Sequence, residues 1–243
     1  AIWNKANANT HNATCIKLSF TAASGYVSKL RRFRADKKGG GPLAGTLYIA
    51  SLITPPNPVL TVGRNVEFIG KAIRGVWWET RNCVVLCQTK ADLRKIAANS
   101  FDYLFLDPPF GSNLNYSELN FLWEAWLKVW TNNKPEAIEN TIQGKGANEY
   151  RQLMTACFKE AYRVLKPGRW MTVEFSNTKA SVWNSIQTAL SDAGFIVANV
   201  SALDKKQGSF KAVTTPTAVK QDLVISAYKP NGGFEERFLR EAQ

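Results

Sequence analysis

Asp107-Pro108-Pro109-Phe110 is the stretch of this chain whose residue types and spacing spell out a chemistry. It follows the apolar run Phe101 to Leu106 (FDYLFL) and ends in Gly111. The run reads as a strand, so a carboxylate, two rigid prolines and an aromatic ring arrive together at its carboxyl end. An exocyclic amine on an aromatic ring is a poor nucleophile, because its lone pair is delocalised into the ring. Two acceptors placed on its N–H groups push electron density back onto nitrogen. The Asp107 carboxylate is the first such acceptor and the Pro108 backbone carbonyl the second. Pro109 keeps the turn stiff, and Phe110 is placed to stack on the ring. This chemistry works by positioning and calls for no metal.

The rest of the residue supply agrees. The only histidine, His11, sits in a polar Asn/Thr stretch and reads as a surface residue. Four cysteines are too few and too scattered for a disulfide scaffold. Cys83 and Cys87 flank Val84-Val85-Leu86, which reads as buried strand, so the cysteines are taken as reduced, intracellular thiols and not as zinc ligands.

The chain has 243 residues, 45% of them apolar and 12% aromatic, enough for a real core in one large domain or one and a half. No apolar run approaches the ~20 residues a membrane span needs. The start, Ala1-Ile2-Trp3-Asn4, has neither a signal pattern nor an initiating Met, and reads as cut from something longer. With 31 Lys and Arg against 19 Asp and Glu, the net charge of +12 favours an anionic partner, nucleic acid first. A base inside a duplex is out of reach, so it must be flipped out or met on a single strand. Two basic stretches suit the backbone contacts this needs: Lys29 to Lys38, followed by Gly39-Gly40-Gly41-Pro42, and Lys205-Lys206-Gln207-Gly208-Ser209-Phe210-Lys211. In the second, Lys205, Lys206, Ser209 and Lys211 are the candidate contacts. Asn113, Asn115 and Tyr116, just past the turn, are candidates to line a base pocket.

These residues must be positioned by the elements around them. The pattern predicts a helix over Ile16 to Leu30 and another over Val59 to Arg74. A strand over Cys83 to Cys87 and a short helix or turn over Ala91 to Ala98 come next. Glu118 to Trp130 has Leu119, Leu122, Trp123, Trp126 and Trp130 at helical spacing, which predicts a core-facing helix. Asn132 to Asn148 reads as a mobile loop. Glu149 to Leu165 reads as a long helix stopped by Lys166-Pro167-Gly168. A strand over Trp170 to Phe175, a helix over Val182 to Ala193 and strands over Phe195 to Val200 and Leu223 to Tyr228 complete the series. Such alternation predicts an α/β sheet with helices on both faces, its last two strands antiparallel. Residues 1–45 read as a helical, basic amino-terminal segment and 46–243 as the catalytic region.

From about Val84 to Lys229 this order resembles the catalytic half of the AdoMet-dependent amino-methyltransferases, the Rossmann-like class that modifies adenine N6 or cytosine N4 in DNA. Asn99-Ser100-Phe101-Asp102-Tyr103 is similar to that family's lead-in to the Asp-Pro-Pro-Phe turn. Tyr162-Arg163-Val164-Leu165-Lys166-Pro167-Gly168-Arg169 is similar to its stop before the fifth strand. The resemblance implies a class I methyltransferase sheet with its final strand antiparallel, AdoMet as cofactor, DNA as partner and a bacterial, cytoplasmic, nucleoid-associated setting with restriction-modification as its context. Asp at the head of the turn fits the adenine enzymes better than the cytosine ones. Gln88, Asp92 and Asp107 itself are the positions implied to meet the cofactor. One departure stands out: the family's strand followed by a Gly-x-Gly turn, the seat of the AdoMet methionine part, has no counterpart here, nor has its ribose-holding acid. The sheet is therefore expected to be incomplete, with an amino-terminal portion or a partner chain completing the cofactor site. RNA base methylation and a catalytically silent nucleic-acid-binding fragment remain as alternatives.

Overall fold

The computed structural model describes residues 11–36, 40–75, 83–86, 88–112, 114–176, 180–204 and 221–233. The chain divides into two compact units, one of Ala1–Leu86 with Tyr116–Thr131 and one of Cys87–Asn115 with Asn132–Gln243.

The first unit pairs helix α1 (His11–Ser24) with α2 (Pro58–Gly75) and adds two short helices, α3 (Tyr116–Leu119) and α4 (Phe121–Leu127). The helix predicted over Glu118 to Trp130 is thus broken. Lys128 adopts a left-handed φ of 55° and returns its N–H to the Glu124 carbonyl, which ends α4. The predicted core face is not buried either. Trp126 is exposed and Trp130 is 71% exposed, while Glu124 is buried and accepts hydrogen bonds from the Thr131 hydroxyl and backbone N–H. Trp123 donates its indole N–H to the Thr21 carbonyl at 2.9 Å, and Phe20 meets Trp126 edge to face at 5.2 Å. Gly40 packs against the chain before it. It has φ +98°, and a Cβ there would lie 2.6 Å from the Arg32 carbonyl oxygen, so only glycine fits.

The second unit holds a four-stranded sheet of β1 (Phe101–Leu106), β2 (Leu165–Phe175), β3 (Ile196–Asp204) and β4 (Gln221–Tyr228), in the order β1-β2-β4-β3. Helix α5 (Ala147–Val164) joins the first two strands and α6 (Ala180–Asp192) leads to β3. β1 and β2 pair parallel, and β4 runs antiparallel to both its neighbours. The final reversed strand expected from the sequence is therefore present. The Lys166-Pro167-Gly168 stop is a bulge inside β2: the register jumps from Phe101↔Leu165 to Tyr103↔Trp170, and Gly168 takes φ +71°.

Helices were expected on both faces. Among the described residues of this unit, α5 and α6 share one face, and strand order explains why. The connections β1 to β2 and β2 to β3 move across the sheet in the same direction. Right-handed crossovers in one direction land on one side. On that side Leu104, Met171, Ala227 and Val197 stand in register and pack against Tyr150, Met154, Phe158 and Ala161 of α5 and Val182, Ile186, Ala189 and Leu190 of α6. Each such fully buried large side chain contributes about 1.5–3 kcal/mol. The other side carries the row Tyr103, Trp170, Tyr228, Ile196, of which Tyr103 is 53% and Trp170 47% exposed. Trp170 and Tyr228 stack at 5.3 Å, and the Tyr103 hydroxyl bonds Thr172 Oγ1 at 2.6 Å.

The strand expected at Cys83 to Cys87 is absent where the chain is described. Residues 83–86 are irregular and exposed, Val85 by 91%. A strand exists only with a ladder partner, and none pairs with this segment among the described residues. Cys87 lies outside them. The segment expected to be a mobile loop is instead pinned. Ile138 is fully buried, Asn140 and Lys145 form an antiparallel bridge, and the buried Lys145 ammonium donates to the Asn133 and Glu136 carbonyls.

Lys229, 8% exposed, ties the amino end of β1 to the end of α5. Its ammonium donates to Asn99 Oδ1, the Tyr162 carbonyl and the Leu165 carbonyl, each at 2.8 Å, and lies over the Tyr162 ring. Lys229→Ala leaves these acceptors unpaired and is expected to lower unfolding stability by about 2–4 kcal/mol in urea titrations. A second check uses the Cys157 thiol on α5, whose pKa burial pushes up from 9.0 to about 11. Because the folded value is raised, the stability held by the neutral thiol is intact below pH 9 and is lost as pH rises through about 11. At pH 8 iodoacetamide is expected to label exposed Cys83 at least roughly tenfold faster than Cys157, with the gap closing only at high pH.

Candidate functional site

The Asp-Pro-Pro-Phe turn leaves the carboxyl end of β1, where a parallel strand delivers its following residues to one rim of the sheet. β1 is held there by β2 on one side and by Leu104 and Leu106 packing into the core. Asp107 is exposed, and among the described residues its carboxylate makes no hydrogen bond or ion pair. The same holds for the Pro108 carbonyl.

The next carbonyl is different. Pro109 O accepts a hydrogen bond of 2.7 Å from the hydroxyl of Tyr150, a fully buried residue in the first turn of α5. Burial pushes the Tyr150 pKa well above the ordinary phenol value of 10.0, against the pull of the Gly111 backbone N–H, so the hydroxyl stays a donor. Gly111 is buried, takes φ +67° and accepts the Glu139 N–H at 3.2 Å. Phe110 is half-buried, with its ring edge to face on Phe175 at 5.3 Å. Among the described residues, the turn therefore offers one free carboxylate and one free carbonyl side by side in sequence, while the two residues after them are anchored in the core.

The other sequence-predicted residues are placed less compactly. Asn115 closes a segment of the second unit, and Tyr116 opens α3 of the first. Asn113, Lys205, Lys206, Ser209 and Lys211 lie outside the described residues. Gln88 is exposed in irregular chain. Asp92 is bound by its neighbour: Arg94 donates to both of its oxygens at 2.8 and 2.7 Å and holds its pKa down at about 2. The turn carrying Asp92 is stapled to α5 by Glu160, which accepts the Leu93 N–H at 2.6 Å, and by Arg163, which donates to the Leu93 and Ile96 carbonyls. Among the described residues Gln88 and Asp92 are not joined in a closed seat for a nucleoside, and no glycine-rich turn follows a strand. Gly63 and Gly70 lie inside α2, facing open space. The described residues do not by themselves make up a complete AdoMet site. Sequence reasoning missed Tyr150 and Glu139, whose contacts with the turn span 41 positions in the first case and 28 in the second.

Strand order and the single reversed strand define the fold class: α/β, with an open, Rossmann-like four-stranded sheet. No family model and no curated protein matches the chain. Solved structures similar to it include a candidate DNA modification methylase from Thermus thermophilus complexed with S-adenosyl-L-methionine, at 16% identity, covering 58% of this chain and 52% of that chain with a TM-score of 0.34. The complex of the Haloferax volcanii Trm112 methyltransferase activator with a candidate methyltransferase is similar at 13% identity, 69% of each chain and a TM-score of 0.37. The cyclase SpnF is similar at 13% identity, 72% of this chain and 71% of that chain, TM-score 0.36. The chain spans about half the length of the Thermus protein, 49% to 52%. Likeness at this level reaches a cyclase as readily as a methyltransferase, and says nothing of the reaction. Among the described residues no helix is long and apolar enough to cross a membrane.

Proposed function

We propose that this chain is the base-holding half of an AdoMet-dependent methyltransferase that modifies an exocyclic amine of a DNA base, adenine N6 first. The observation that supports this most is the division of labour in the turn. Asp107 and Pro108 keep uncommitted acceptors at the rim of the sheet, and the residues behind them are locked. An amine has two N–H groups and needs two acceptors in a fixed relation. The Asp107 carboxylate takes one and the Pro108 carbonyl the other, which localises the nitrogen lone pair and aims it away from the turn. Phe110 offers a ring face or edge to the base. The net charge of +12 supports a polyanionic substrate. The described residues form no complete seat for the methyl donor, so a further segment or chain supplying the glycine turn belongs to this reading.

The chain combined with whatever supplies the donor site, incubated with labelled AdoMet and either DNA or RNA, tests the proposal. Label in DNA is expected; label in RNA alone replaces DNA by the runner-up substrate. Binding of DNA without AdoMet binding or transfer favours the silent-fragment reading. Asp107→Ala is expected to reduce transfer by at least ~10²-fold, with an unchanged melting curve, since one preorganised acceptor contributes roughly 10²–10³-fold. Full transfer by that variant removes Asp107 from the mechanism.

A further inference from the structure

We infer that Tyr150 is a positioning residue of the acceptor turn, acting through Pro109 to fix which carbonyl is left for the amine. The inference rests on the base-holding reading above and adds a residue to it.

The turn has an inherent weakness. Pro108 and Pro109 carry no N–H, so two of its residues cannot tie themselves down by donating. It also presents the carbonyls of Pro108 and Pro109 in succession, either of which could take an amine proton. The structure resolves both problems with one hydroxyl. Tyr150 Oη donates to Pro109 O at 2.7 Å, which removes that carbonyl as a competitor and fixes the peptide after Pro109. The Glu139 N–H fixes Gly111 O from a second direction at 3.2 Å. Among the described residues, Pro108 is left as the unpaired carbonyl beside Asp107.

Tyr150 can hold this position because it is itself held. Its ring is 0% exposed in the core cluster, and α5 starts on the Gly146 N–H bonded to Glu149 Oε2 at 2.9 Å. Its raised pKa keeps the hydroxyl protonated, so it serves as a donor and not as a base. Tyr150 touches neither base nor methyl donor. Its removal should therefore degrade the alignment of bound substrate and leave affinity alone, and a misplacement of ~1 Å costs on the order of 10²-fold in rate.

The test is Tyr150→Phe in the whole chain, assayed together with whatever supplies the donor site, with Tyr162→Phe, on the same helix with its ring on Phe195, as the packing control. Expected for Tyr150→Phe is a fall in kcat of about 10- to 100-fold with KM for DNA within about twofold, and for Tyr162→Phe a kcat within about twofold of wild type. Tyr150→p-aminophenylalanine, which restores a donor at the same place, is expected to recover most of kcat. A wild-type kcat in Tyr150→Phe, an equal loss in Tyr162→Phe, or no recovery with the amino analogue overturns the inference. Hydrogen exchange provides a readout independent of catalysis. The Glu139 amide, which donates to Gly111 O just past the clamped carbonyl, is expected to exchange at least roughly tenfold faster in Tyr150→Phe while β2 amides hold their rates. Unchanged Glu139 exchange also overturns it. Wild-type chain inactive on every nucleic acid with the donor site supplied would sink the base-holding reading, and the exchange result would still decide the clamp.

Discussion

The parallel pairing of β1 with β2 is the constraint on which the rest of the second unit depends. Parallel strands need a crossover, and the crossover here ends in α5. Right-handedness places α5 and α6 on the same side, because both connections travel the same way across the sheet. That single fact creates the core of Phe158, Met171, Phe175, Ile186 and Ile225 and leaves Tyr103 and Trp170 half-exposed on the opposite side. It also brings the first turn of α5 beside the carboxyl end of β1. The Asp-Pro-Pro-Phe turn and its anchor are thus products of topology as much as of local sequence.

β1 is secured at both ends by buried polar groups from distant parts of the chain. At its amino end the Lys229 ammonium gathers Asn99 and two carbonyls of the α5 terminus; at its carboxyl end Tyr150 holds Pro109. Both groups are desolvated, which lowers the pKa of Lys229 and raises that of Tyr150. Burying a polar group costs stability unless it is hydrogen-bonded, and both are. The strand is consequently a stiff arm, and what stands on its end is held to a defined place. The stapling of residues 91–98 to α5 through Glu160 and Arg163 extends the same logic to the segment entering the strand.

The sequence was most legible where a repeating pattern meets a covered face. Short apolar runs marked β1, β2, β3 and β4, and the Lys166-Pro167-Gly168 stop marked the end of α5, each within a few residues of the observed bounds. The place of the Asp107 turn at the carboxyl end of β1 was readable because the end of a strand is a local feature. Cys83 to Cys87 failed for the opposite reason: Val84-Val85-Leu86 has strand propensity, but propensity supplies no hydrogen-bond partner. Glu118 to Trp130 failed because helical spacing identifies an apolar face without saying what covers it, and Lys128 breaks the helix. Tyr150 and Lys229 left no signal at all, since contacts across 41 and 130 positions produce no local period.

The central claim is that the reacting atom is an exocyclic nitrogen held by Asp107 and Pro108. The chemical position of the methyl group tests it most directly. DNA methylated in the presence of this chain, together with whatever supplies the donor site, can be digested to nucleosides and analysed by mass spectrometry against standards. N6-methyladenine is the result this account predicts, and N4-methylcytosine would keep the mechanism while changing the base. Methyl on a ring carbon or ring nitrogen, as in 5-methylcytosine, would contradict it, because neither position presents the two N–H groups that the turn is built to receive.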